Sequence, residues 1–229
     1  MFRIPPIIFL SLFLLLSNSC RRDPNLPEMV KAHYLLYQIE YLEDTAGDIP
    51  TRILPSTMQS WYTEHFVITK IEGFFKQFSL IQLADLKHRR VTTLLNVFGN
   101  KLYYRSRQGE FPACVIVPQS LSFRNTQESK VIGGLLSNRV EVDTGEEKFS
   151  IYYTEDFSVR RPNLSTPYRE IDKPLSAFPI QLSYLKMNLS CKLYEERTVE
   201  SKIFSIPDEY REVSRPVMEG FINSLFTKD

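Results

Sequence analysis

The sequence predicts a mostly β to α+β domain built on a strongly curved antiparallel sheet with few helices. Three observations carry that expectation. Phe and Tyr number 16 and 12 against 8 Gly, and aromatic side chains favour pleated, half-buried surfaces. Most apolar stretches alternate with a period of two, as strands with one buried face do. Only one stretch, near the C-terminal end, repeats its apolar residues at helical spacing. Strands followed by a lone helix point to a single antiparallel domain rather than to βαβ units.

The opening segment stands apart from that domain. One charge at Arg3 precedes an apolar run over residues 4–16, followed by small, polar Ser17-Asn18-Ser19 and then Cys20. This is the order of a secretory signal. The run is too short for a hydrocarbon core that takes ~20 apolar residues to cross, and Pro5-Pro6 disfavours a helix at its start. Leu14-Leu15-Leu16-Ser17-Asn18-Ser19-Cys20 resembles a bacterial lipobox, with Ser19 as the small residue before the cut and Ser17 where many lipoboxes have Leu. The resemblance assigns lipidation to Cys20, whose thiol takes a diacylglycerol as a thioether. Two or three acyl chains, at ~0.8 kcal/mol per buried methylene, hold a protein on a membrane durably.

The expected organisation is a signal over residues 1–19, a lipidated N-terminus and tether over 20–30, and a single β-rich domain over 31–229. Arg21 stands where an aspartate would retain a lipoprotein at the inner membrane. The expected address is therefore the cell envelope, lipid-anchored at the outer membrane and facing the periplasm.

Without its signal the chain keeps about 210 of 229 residues, enough for one domain with a sizeable core. Loss of Arg3 leaves 27 basic residues against 27 acidic. No surplus of cations exists to neutralise a phosphate backbone, so nucleic acid is not an expected partner.

Taken in order, residues 33–42 read as a strand with Tyr37, Ile39 and Tyr41 on one face and Gln38 and Glu40 on the other. A polar loop follows over 43–50. Residues 61–71 alternate loosely, and 74–83 supply another strand after Gly73. Residues 91–97 and 101–105 flank Gly99-Asn100, a pair suited to the positive φ of a tight hairpin turn. A second hairpin joins 139–143 to 149–154 through Thr144-Gly145-Glu146-Glu147, with Val140 and Val142 on the side of Phe149, Ile151 and Tyr153. Residues 156–174 form a long proline-containing loop. Residues 178–185 and 189–199 make a last strand pair around Lys186-Met187-Asn188. The tail is helical, with Ser214 as cap, Pro216 in the first turn, and Val217, Phe221, Ile222 and Leu225 as its apolar stripe.

Beyond Cys20 two cysteines remain, each in a strand-like context. Cys114 and Cys191 could close one disulfide in an oxidising compartment, or sit as buried free thiols.

Several stretches together resemble a family of secreted proteins of Gram-negative bacteria with a LolA/LolB-like lipoprotein-carrier fold. They are Gln38-Ile39-Glu40-Tyr41, Leu54-Pro55-Ser56-Thr57-Met58, Lys130-Val131-Ile132-Gly133-Gly134, Ile151-Tyr152-Tyr153-Thr154-Glu155, the stretch 174–180, and Phe204-Ser205-Ile206-Pro207-Asp208-Glu209-Tyr210. Leu135-Leu136-Ser137 stands where the family often has a cysteine. The resemblance implies an incomplete antiparallel β-barrel closed by helices around an apolar cavity.

No pattern of catalytic residues stands out. His33, His65 and His88 are scattered, with no His-Glu-x-x-His pair for zinc and no Gly-x-Ser-x-Gly elbow. No enzyme activity, cofactor or metal is expected. Lys87-His88-Arg89-Arg90 could meet a lipid head group or phosphate, or form a solvated turn. Phe74, Phe75, Phe78, Tyr103 and Tyr104 could line a lipid cavity, whose walls are mostly apolar, or fill an ordinary core. The expected function is that of a non-enzymatic envelope protein holding an apolar ligand, lipid or lipoprotein. The alternative is a structural or protein-interaction module without a ligand cavity.

Overall fold

The strand at the centre of the sheet is the first one. β1 (Met29–Tyr41) pairs antiparallel with β13 (Leu185–Glu200) on one side and β4 (Thr57–Tyr62) on the other. Its alternation buries Leu35, Tyr37 and Ile39, and the Tyr37 hydroxyl donates to the Leu175 carbonyl at 2.6 Å. The structure, a computed structural model, describes residues 28–225. The signal, Cys20 and nearly all of the tether lie outside the described residues.

Around β1 runs one twelve-stranded sheet in the order β14-β8-β7-β6-β5-β4-β1-β13-β12-β11-β10-β9. Its other members are β5 (Phe66–Gly73), β6 (Phe78–Asp85), β7 (Arg90–Val97), β8 (Asn100–Arg105), β9 (Ser122–Ile132), β10 (Leu135–Asp143), β11 (Lys148–Thr154), β12 (Leu175–Leu182) and β14 (Arg211–Glu212). A separate two-residue pair joins β2 (Thr45–Ala46) to β3 (Ile49–Pro50). Neighbours in the large sheet are antiparallel except β14 beside β8. The sheet is strongly curved and does not close into a barrel, as expected. Its open edge, β9, exposes Arg124, Glu128 and Lys130, and charge on an edge discourages pairing with another chain.

Each face has its own cover. Inside the curve, Leu35, Met58, Val67, Ile151 and Met187 form the main core, and the loop 155–174 packs Phe157, Val159, Leu164 and Tyr168 onto it. Outside, Ile68, Leu83 and Leu94 are covered by Phe204 from the segment after β13. The chain then pairs β14 with β8 and sends α1 (Arg215–Ser224) back inside, where Met218 and Ile222 meet Leu95 and Leu102. The C-terminal segment thus wraps one edge of the sheet from outer to inner face.

Several elements differ in detail from expectation. The β7–β8 turn is Phe98-Gly99, at φ 49 and 88; Asn100 opens β8. Residues 61–71 are two strands, because Thr63 closes a tight turn in which its hydroxyl and amide both bond Phe66. The β12–β13 turn is Ser183-Tyr184, so Lys186-Met187-Asn188 lies within β13. Residues 74–76 form a 3-10 turn before β6. Strand β9 had no sequence signature, since it exposes side chains on both faces. In α1, Met218 and Ile222 point inward while Val217 is 51% exposed, so the buried stripe runs at i and i+4 from Met218.

Candidate functional site

One end of the curved sheet encloses an apolar cavity of about 170 Å³. Its floor is the inner face, where period-two alternation sends Phe78 and Leu80 of β6 and Leu95 and Val97 of β7 the same way. Leu182, Leu185 and Met187 close one side, Leu54 and Pro55 another, and Ala113 and Cys114 cross the opening with Ile222 and Leu225. The Tyr41 hydroxyl is turned away from the void by donating to the Pro55 carbonyl at 2.7 Å. The walls are tied to each other. Ser183 N donates to the Cys114 carbonyl at 2.7 Å, and Ser183 Oγ donates to Asn223 Oδ1 of α1. Phe98 N donates to the Gln77 carbonyl at 2.7 Å, joining the two turns at the rim.

The rim carries apolar side chains among charged ones such as Arg52, Lys76 and Lys186. Leu42, Ile53, Phe75, Phe98 and Tyr184 are exposed on five connections at this end of the sheet. Phe75 and Phe98 hold left-handed backbone, at φ 53 and 49, where a Cβ costs ~1–2 kcal/mol.

Of the aromatic residues singled out in the sequence, Phe78 lines the cavity. Phe75 is 100% exposed on its turn and lines nothing. Tyr104 faces inward but packs against α1 and donates its hydroxyl to Glu110 Oε2 at 2.7 Å. Tyr103 faces outward, beside the cover that includes Phe204, and donates to Glu212. Phe74 lies in the turn at the rim. The remaining walls, Leu80, Leu95, Leu182, Leu185 and Ile222, went unmarked because an aliphatic inner face has the same pattern whether it is filled or hollow.

Cys114 and Cys191 are both free and buried. They belong to separate clusters, Cys114 beside α1 and Cys191 in the main core, so no disulfide joins them. Burial pushes the Cys114 thiol up to about 12, with the Glu219 charge adding to it. Burial likewise raises Cys191 to about 11.

The histidines are not brought together. His33 stacks on Phe157 at 4.4 Å and its Nδ1 lies 3.0 Å from the Tyr194 hydroxyl. Burial lowers its pKa, and Glu196 opposes the shift. His65 sits in the β4–β5 turn, and His88 pairs with Asp85 at 2.7 Å in the β6–β7 turn. Among the described residues, no group of three His, Cys, Asp or Glu side chains could hold a metal.

A smaller void of about 30 Å³ lies between the sheet and the covering loop. Its walls include Thr69, Gln82, Asn163, Ser165 and Thr166, and Ser165 Oγ is buried without a partner. That volume suits one or two water molecules, which need ~10–15 Å³ each.

No protein-family model and no curated protein matches the sequence. Among solved structures the chain is similar to PNGF-II in two crystal forms. In the C2 form the TM-score is 0.53, with 10% identity over 85% of this chain and 33% of that one. In the P21 form the TM-score is 0.53, with 11% identity over 84% and 33%. The likeness is one of fold, and this chain spans about a third of the length of the PNGF-II chain.

Proposed function

We propose that the chain is a lipid-anchored cell-envelope protein that does no chemistry of its own and holds an apolar ligand, a lipid or part of a lipoprotein, in its half-barrel cavity. The observation that carries this reading is the wall of the 170 Å³ void, apolar on every side. An engineered void of ~150 Å³ lined by Leu, Ile and Phe stays dry and takes up benzene. A cavity of this size accepts a ring or a stretch of acyl chain, and exposed apolar side chains at the rim, Phe75 and Phe98 among them, extend the apolar surface outward. The sequence resemblance to a lipoprotein-carrier fold, and the lipobox before Cys20, support the same reading.

The test is native mass spectrometry of residues 21–229 purified from the periplasm of an expression host. The expected result is a reproducible added mass that denaturation resolves into a phospholipid or fatty acid. A clean apo mass, with no lipid taken up on incubation, would overturn ligand carriage.

A second reading draws on Phe75 and Phe98, which stand exposed at the rim. Such side chains suit a protein partner. Crosslinking from the rim that captures one reproducible partner, with no bound lipid, would favour that interaction module.

A further inference from the structure

The end of the sheet opposite the cavity gathers cations from segments distant in sequence. The β6–β7 turn exposes Lys87, Arg89 and Arg90, and Arg105 and Arg107 are exposed where β8 ends. Backbone bonds hold the two segments side by side. Ser106 N donates to the Val91 carbonyl and Gly109 N to the Arg89 carbonyl, each at 2.9 Å. A sixth cation comes from the covering loop. Arg169 spends its donors on carbonyls, reaching Gly109 at 2.7 Å and Glu110 at 2.8 Å. Burial, and then the charge of Arg89, lowers it to about 10.

The carboxylates beside them are largely engaged elsewhere. Asp85 is taken by His88, Glu110 by Arg215 and Tyr104, and Glu64 stands on the neighbouring turn. Among the described residues, Lys87, Arg89, Arg90, Arg105 and Arg107 enter none of the salt bridges. The near-neutral net charge of the chain therefore hides a basic cluster at the β6–β7 turn and the end of β8, while exposed Glu28, Glu196 and Glu200 lie farther along, where β1 and β13 meet.

The chain also enters the fold here. Met29 opens β1 at this end, while Tyr41 reaches the cavity. Eight residues lie between Cys20 and Met29, a reach of at most ~32 Å over the nine steps at ~3.6 Å each, and two of the eight are Arg21 and Arg22.

We propose that this basic end lies against the anionic phospholipid head groups of the bilayer that carries the N-terminal anchor, leaving the cavity mouth turned away from it. The proposal goes beyond the cavity reading and shares with it only the lipid on Cys20. The occupant is a surface and not one phosphate, because the five exposed cations spread over a turn and a strand end without converging on a pocket.

The test uses residues 20–229 carrying Cys20→Ser, so that no acyl chain contributes. Co-sedimentation is measured with vesicles of phosphatidylcholine alone and of phosphatidylcholine mixed with phosphatidylglycerol. Binding is expected only to the mixed vesicles, and it should fade as salt shortens the screening length from ~10 Å at 0.1 M to ~3 Å at 1 M. Each surface cation is worth about fivefold in partitioning. Arg89→Gln/Arg90→Gln and Arg105→Gln/Arg107→Gln should each lower binding by about 25-fold with an unchanged melting temperature. Arg124→Gln/Lys130→Gln, on the open sheet edge, removes the same charge and should leave binding within about twofold. Equal binding to both vesicles, or equal loss in the edge variant, would overturn the proposal. So would saturable binding of inorganic phosphate with no vesicle binding, which would assign a discrete phosphate site instead.

Discussion

Ala113→Leu turns the cavity into a question of sign. Ala113 is 2% exposed and borders the 170 Å³ void beside Cys114. An empty void of that volume costs about 4 kcal/mol at ~24 cal/mol per Å³. Leucine adds three carbons, which at ~0.8 kcal/mol per buried methylene recover about 2 kcal/mol. For a domain of this size that is a rise in melting temperature of ~4–8 °C. The assay is thermal and urea denaturation of protein stripped of ligand by unfolding and refolding, with native mass spectrometry on the unstripped variant. Higher stability together with loss of any bound lipid is the expected pair of results. A filled core gives the opposite sign, since extra carbons forced into close packing cost ~1–3 kcal/mol. Destabilisation of that size would refute the hollow interior and the ligand argument with it.

Other perturbations have equally definite outcomes. A Cβ on Gly133 would lie 2.6 Å from Cys191 Sγ and 2.9 Å from its backbone at φ +60, whereas Gly134 at φ +90 meets nothing. Gly133→Ala should cost ~2–4 kcal/mol and Gly134→Ala only the ~1–2 kcal/mol of a left-handed Cβ, a contrast read by paired urea titrations. Phe75→Gly removes a fully exposed ring from a left-handed position and should raise stability by up to ~1 kcal/mol; a loss would show that the ring has a partner. Burial raises Cys114, Cys191 and Tyr62 to about 12, 11 and 12, so the folded state keeps protons that the unfolded chain sheds. Stability should be full below pH ~8.5, where unfolded thiols begin to ionise, and decline as pH rises toward 11–12. A urea midpoint that stays flat from pH 8 to 11 would contradict that.

What the sequence disclosed and withheld follows from periodicity. Strands with one buried face, such as β1 and the β10–β11 hairpin, were legible because Tyr37-Ile39-Tyr41 and Val140-Val142 alternate with polar neighbours. Strand β9 was not, since most of its residues are exposed on both faces and only Ile132 at its end is buried. Turns were displaced where φ is positive at an unexpected residue. Phe98 and Ser183 occupy positions usually given to glycine or asparagine, so Asn100 and the Lys186 region drew the turns toward themselves.

The same periodicity sorts the aromatic candidates. Adjacent residues of a strand face opposite ways, so Tyr103 and Tyr104 could never have lined one cavity together. Phe78 and Tyr104 satisfied both type and phase, and Tyr104 packs against α1 instead of the void. The basic end was half visible, as the run 87–90. Arg105 and Arg107 joined it through the β7–β8 pairing, which no local pattern announces.

The wrap of the C-terminal segment around the β8 edge has a bearing on biogenesis. A chain that emerges N-terminus first presents β5 to β8 long before Phe204 can cover their outer face or Met218 and Ile222 their inner one. Its first strand, β1, can pair early with β4 but waits for β13 on its other side, with Met29 opposite Glu200. The cavity comes into being only as the final helix docks. Until then the chain is a half-formed sheet with aliphatic residues bare on both sides, the kind of surface that holding chaperones recognise and that aggregation exploits. The completion of the cavity and the covering of the inner face of β7 and β8 are thus a single event.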